Sequence, residues 1–183
     1  NEEIRDHWGE DWYRGAMFPL PDGIGLIEGK LHDLQGRFNI NSLADPDAKR
    51  QALFAGVFVS MMSDLLTSNP DAFPEGTTAN MLKERVIDWL DTDQENTGFD
   101  GREDDDYFRK ERPCRTANHV ITDASELLLI DGFTPQALAL LEDKISFLPY
   151  SAKINLFTAD KDLLIKLGFS AAEATEFADK QRP

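Results

Sequence analysis

Nine carboxylates crowd the stretch from Asp88 to Asp106: Asp88, Asp91, Asp93, Glu95, Asp100, Glu103, Asp104, Asp105 and Asp106. Only Arg102 opposes them. Like charges at that density repel unless a cation or water relieves them. Calcium, which takes six to eight oxygens from a flexible loop, suits such a segment. Asp91-Thr92-Asp93 and Gly101-Arg102-Glu103-Asp104 form two carboxylate groups that a loop can bring together. An EF-hand register fits only in part. Counted from Asp93, Glu95, Thr97 and Gly98 fall at the third, fifth and sixth positions, but Asp104 stands where the terminal Glu belongs. A solvated acidic loop explains the composition about as well. Trp89 and Tyr107 favour an ordered loop, because they can tie both of its ends to a core.

Other chemistries find less support. Paired carboxylates raise acid/base hydrolysis of glycosides, but acids clustered in one short loop suit a metal better than a substrate cleft. No nucleophile elbow, phosphate loop or zinc motif occurs. His7, His32 and His119 lack helical partners, and the single Cys114 has no cysteine to pair with. The chain is expected not to be an enzyme. A net charge of −15 and a pI near 4.5 disfavour nucleic acid and anionic membrane surfaces. The longest apolar run, Leu53 to Met62, falls short of the ~18 residues of a membrane span. The chain begins at Asn1 without Met and ends at Pro183, the pattern of a processed or trimmed chain.

The elements that must carry the loop follow from periodicity. Asn1 to Gly15 holds Trp8, Trp12 and Tyr13 and reads as a helix remnant or lead-in. Pro19, Pro21, Gly23 and Gly25 mark turns, and Ile24 to Ile40 reads as short strands with hairpin or bulge positions at Gly29 and Gly36. Asp45-Pro46 predicts a helix start. Leu53, Phe54, Val57, Phe58, Met61, Met62, Leu65 and Leu66 then recur at helical spacing as one buried face. Pro70 and Pro74 end it. A second helix is predicted from Thr78 to Leu90, with Leu82, Val86, Ile87 and Leu90 inward, and further helix from about Asp123.

That last region repeats. Glu126–Thr134 aligns with Asp162–Ser170 at an offset of 36. Each copy reads as helix, glycine stop (Gly132, Gly168), Ser/Thr cap (Thr134, Ser170), helix. The second copy, preceded by Ile154 to Ala159, is similar to the helix-hairpin-helix units of DNA-binding competence proteins. The second glycine of their Gly-x-Gly turn is absent, since Ser170 follows Phe169. A structural hairpin is the better reading, and a nucleic-acid-binding module is the alternative function.

Several short segments resemble a known family in order. Gly36-Arg37-Phe38-Asn39-Ile40-Asn41-Ser42-Leu43, Ile87-Asp88-Trp89-Leu90-Asp91-Thr92-Asp93, Gly101-Arg102-Glu103-Asp104-Asp105-Asp106-Tyr107 and Ile154-Asn155 with Thr158-Ala159 look like signatures of the type II secretion minor pseudopilin K family. Phe157 and Cys114 depart from its pattern. The resemblance implies an α+β fold: a pilin-like α/β body, partly present as residues 1–43, and a large inserted α-helical, calcium-binding domain, residues 44–183, with the two helix-hairpin-helix-like repeats. It implies the tip of the secretion pseudopilus, which starts or caps assembly for protein export. The partners implied are I- and J-type minor pseudopilins and other secretion components. The implied location is the periplasm, with an inner-membrane anchor through an N-terminal helix outside this chain. For calcium, the expected core ligands are Asp91, Asp93, Glu103 and Asp104, with Asp100, Asp106 and the Thr92 carbonyl as additions. Trp8, Trp12 and Phe18 are expected to face absent strands or partner subunits.

Overall fold

The computed structural model describes residues 15–180. Trp8 and Trp12 lie outside the described residues, as does most of the expected N-terminal lead-in. Helix and short strand are mixed, and the chain packs as two compact units. One runs from Phe38 to Ala152. The other is built from the described chain up to Arg37 and from Lys153 onward.

In the Phe38–Ala152 unit the chain enters as a two-residue strand that pairs with Ile145–Ser146 in parallel. Numbered in chain order, the strands are β1 (Ala16–Pro19), β2 (Leu26–Gly29), β3 (Phe38–Asn39) and β4 (Ile145–Ser146). The β3–β4 pair sits wholly in the core, with Phe38 fully buried and Ile145 nearly so. Asn41 extends it by side-chain bonds. Its amide donates to the carbonyls of Ile121 and Leu148, and its oxygen accepts from Ile121 N–H. That satisfies a buried polar residue on both sides. The β3 side continues as a 3₁₀-helix, Ile40–Ala44, whose Ile40 and Leu43 are buried. The domain boundary expected at residue 43 therefore differs from the unit boundary at Phe38, because these apolar side chains fill the core of the second unit.

Helix α1 (Ala48–Ser68) starts two residues later than Asp45-Pro46 predicts. Asp47 is its cap, accepting from the N–H groups of Lys49 and Arg50. Asp45 instead takes the Arg50 guanidinium in two bonds, of 2.8 and 2.9 Å. Val57, Phe58, Met61, Met62 and Leu65 are buried where α1 packs on the next helix, Ala79–Leu90, and on the 3₁₀-helix. The buried face is narrower than predicted, since Leu53 is exposed. By length and composition α1 could cross a membrane, but here its apolar stripe is a core face. Helix α2 (Ala79–Leu90) is capped by Thr78, which accepts from Met81 N–H. It buries Leu82, Val86 and Leu90 as predicted, while the predicted Ile87 is only half-buried; Trp89 and the charged Arg85 and Asp88 are buried as well. After the acidic loop comes a short helix, α3 (Asp104–Phe108).

The first copy of the repeat opens as a 3₁₀-helix, Ala124–Leu129, closed by an Asp123/Glu126 capping box. Gly132 follows at φ +103°, then Thr134 as cap and Pro135 as first residue of α4 (Pro135–Leu141). The sequence predicts this stop and cap, but an α-helix where the 3₁₀ turn lies.

In the other unit β1 and β2 form an antiparallel hairpin, with Ala16 opposite Gly29 and Pro19 opposite Leu26. Its turn lies at Leu20–Gly25, closed by Leu20 N–H to Gly25 C=O, and not at Gly29. Met17, Phe18, Ile24, Leu26 and Ile27 are exposed. Gly36 lies directly on Thr158, 2.5 Å from its carbonyl oxygen where a Cβ would stand. Asp33 accepts from the Asn155 amide and the Thr158 hydroxyl, clasping the two stretches of this unit together. Helix α5 (Lys161–Lys166) stops at Gly168 (φ +101°) before α6 (Ala171–Lys180). Ser170 and Glu173 exchange bonds at the start of α6, as a capping box does. Phe177 meets Phe157 and Phe169 edge to face.

Candidate metal centre

The C-terminal end of α2 supplies the first ligands. Asp91 follows the last helical residue, its N–H still bonded to the Ile87 carbonyl. A helix C-terminus carries partial negative charge, so a carboxylate there is unfavourable unless something positive joins it. The loop then turns at Asp93, whose carboxylate accepts from Glu95 N–H at 2.8 Å. Glu103 returns the chain as the extended residue before α3. Oxygens of Asp91, Asp93 and Glu103 all lie within 4.8 Å of one another. Among the described residues this is the group of three acids that could hold a metal ion.

The surroundings deprive these acids of donors. Glu103 is 3% exposed and Asp88, one turn back on α2, is fully buried. One oxygen each of Asp88, Asp91 and Glu103 is buried with no hydrogen-bond partner. Burial, with the nearby charges of Asp88, Asp91 and Asp93, pushes Glu103 up to about 7. Burial and the charges of Asp93 and Asp88 push Asp91 up to about 6. Burial also raises Asp88, although Thr97 N–H donates to it at 2.8 Å. A buried acceptor without a donor costs more than a solvated one. A hard divalent cation relieves both the charge and the missing donors.

The frame around the site is firm. Trp89 and Tyr107 are both buried and meet edge to face at 5.4 Å, so both loop ends enter the core. Glu84 accepts from Asp100 N–H, and the buried Arg85 donates to the carbonyls of Asp100 and Asp131. Asn96 donates to the Gly101 carbonyl. A Cβ on Gly101 would collide with Asp88 Oδ2 and stand 2.6 Å from the Thr97 carbonyl.

Of the predicted ligands, Asp91, Asp93 and Glu103 come together. Asp104 is engaged elsewhere: it accepts from the N–H and hydroxyl of Thr116, and Arg115 lies 3.9 Å away. Asp100 and Asp106 also lie outside the group of three, and Thr92 is exposed. Asp88 was not among the predicted ligands. Its signal is a carboxylate on the inward face of a helix, three residues before Asp91.

The match to known proteins is extensive. A family model for protein K of the type II secretion system covers residues 36–150. The chain is 33% identical over 165 residues to type II secretion system protein K of Pseudomonas aeruginosa, covering 87% of this chain and 45% of that protein. It is 29% identical over 150 residues to the Aeromonas hydrophila protein K, covering 77% and 43%. The chain thus spans less than half the length of these relatives. Its fold matches a chain in the crystal structure of the GspK-GspI-GspJ complex from the enterotoxigenic Escherichia coli type 2 secretion system. There the TM-score is 0.77 at 27% identity, over 100% of this chain and 62% of the other. The matched region contains the acidic loop and both of its buried aromatic anchors, and the chain belongs to the type II secretion system protein K family.

Proposed function

We propose that the chain is part of a minor pseudopilin that assembles with I- and J-type pseudopilins at the tip of a type II secretion pseudopilus, and that calcium stabilises it. Membership of the protein K family is the observation that carries this reading. The similar solved chain comes from a complex of K with I and J, which supports the choice of partners. In this reading the stretch before Phe38 belongs to a pilin-like body and the Phe38–Ala152 unit to an inserted helical domain. The whole protein is anchored in the inner membrane and faces the periplasm. The exposed apolar residues of the β1–β2 hairpin fit a sheet that is completed by other segments or subunits.

Asp91, Asp93 and Glu103 would hold the calcium, with backbone carbonyls such as that of Thr92 and water filling the six to eight positions. The bound ion would cross-link the end of α2 to the start of α3. Its role is structural. The test of the assembly is direct. Mixed with I- and J-type pseudopilins, the protein should co-elute with them as one stable species in size exclusion. Separate elution in every combination, with calcium present, overturns the assignment.

A further inference from the structure

The cations of this acidic chain are unevenly placed. Of its 19 lysines and arginines, Arg109, Lys110, Arg112 and Arg115 fall in one short segment that holds a single acid, Glu111, with Asp104 3.9 Å from Arg115. Arg109, Arg112 and Arg115 are exposed. Beside them Phe108, at the end of α3, is 47% exposed, and the Arg115 guanidinium lies 5.1 Å from its ring centre. Lys110 has a different task. Its ammonium binds Asp131 at 2.7 Å and covers the Tyr107 ring at 3.8 Å. The segment is therefore held in place: Tyr107 is fully buried, its carbonyl accepts from Lys110 and Cys114 N–H, and Thr116 is bonded to Asp104 at the far end. An ordered platform binds at lower entropic cost than a mobile loop.

We infer that this arginine–phenylalanine face docks a short acidic segment of a partner protein, with an apolar or aromatic residue set against Phe108. Arginine matches carboxylates in two-bond geometry, and an aromatic neighbour adds cation–π attraction. The size of the face selects the partner class. A nucleic acid or an anionic bilayer extends well beyond three arginines and would meet the surrounding acidic surface, which carries the net charge of −15. A segment of a few residues can seat on the arginines and Phe108 without spanning the wider acidic surface. The face is complete without any metal, so its binding does not depend on the calcium reading.

The experiment uses a fluorescein-labelled peptide of sequence Asp-Glu-Asp-Trp-Glu-Asp-Glu, titrated with the protein and followed by anisotropy. Binding is expected at about 0.05 M salt and should weaken at least about tenfold by about 0.5 M salt, as an exposed ionic contact does. Arg109→Glu with Arg112→Glu should weaken it at least about tenfold, the loss of roughly two exposed charge contacts. Lys49→Glu with Lys161→Glu makes the same change in net charge elsewhere and should leave binding within about twofold. Circular dichroism confirms that both variants fold. No binding at low salt, or equal loss in both variants, overturns the proposal. So does tighter binding to anionic phospholipid vesicles or duplex DNA than to the peptide, with the same dependence on Arg109 and Arg112.

Discussion

Asp91 and Glu103 approach one point from opposite ends of the acidic loop, each with a buried oxygen that no donor reaches. One stands at the end of a helix and the other immediately before the next. Holding them together is unfavourable in the bare protein and favourable around a cation.

Calcium is therefore expected to raise the melting temperature. Binding to the folded state alone adds RT ln(1 + [L]/Kd), roughly 2.7 kcal/mol at about a hundredfold excess over Kd. Scanning calorimetry in calcium and in chelator measures the difference. Asp93→Ala with Glu103→Ala should remove it while leaving α1 helical by circular dichroism. Identical melting of the wild type in both conditions would make the loop a solvated acidic surface.

The dependence on pH has a definite sign. Glu103 is raised from 4.5 to about 7, and Asp91 from 3.8 to about 6. The folded state thus holds these protons more tightly than the unfolded chain does. Their contribution is most favourable below the unfolded values and is lost as pH rises through the folded ones, so it declines between about pH 4 and pH 7 in chelator. Calcium needs the ionised acids, so its affinity should rise over the same interval. The Asp91→Asn, Glu103→Gln protein isolates the contribution. If the stability difference from wild type does not vary with pH, burial has not shifted these acids.

Gly101→Ala should destabilise the protein by about 1–3 kcal/mol, as overpacking does. The new methyl would press on Asp88 Oδ2 and on the Thr97 backbone, and the latter cannot move as a side-chain tip can. Calcium affinity should fall with it. Urea unfolding gives the first quantity and isothermal titration the second. Unchanged values in both would show that the loop does not close over Asp88.

A separate test concerns the Asp33 clasp. Gly36→Ala would drive a methyl into the Thr158 carbonyl, and Thr158→Val would delete the hydroxyl bonded to Asp33. Each should cost about 1–3 kcal/mol and increase hydrogen exchange at Asn155 N–H, which donates to the Gln35 carbonyl. Wild-type exchange at that amide in both variants would mean the clasp is dispensable.

Much of this was readable from local pattern. The period of α1 and α2, the glycine stops at Gly132 and Gly168 and the caps Thr134 and Ser170 depend on neighbours within a turn. So does the closeness of Asp91 and Asp93. Glu103 could be chosen as their partner because the loop is short and its ends are aromatic. Contacts across long separations were not readable. Asp104 reads as a ligand from its place beside Glu103, and the bonds from Thr116 to its Oδ1 could not be read there. Asp45 looks like a helix cap until Arg50 takes it, which leaves that role to Asp47. Strand β4 is two residues long and has no period of its own.

The β3–β4 pair sets a schedule for synthesis. Asn41 binds the Leu148 carbonyl, 107 positions later in the chain. At about 5–20 residues per second, the ribosome needs roughly 5–20 s to supply that partner. For that interval Phe38, Asn39 and Asn41 have left the exit tunnel without the backbone they will pair with. The sequence between them, α1 included, must stay unaggregated while it waits. Nascent chains halted before Ile145 should accordingly be cut by protease near Phe38, and chains released after Ala152 should resist.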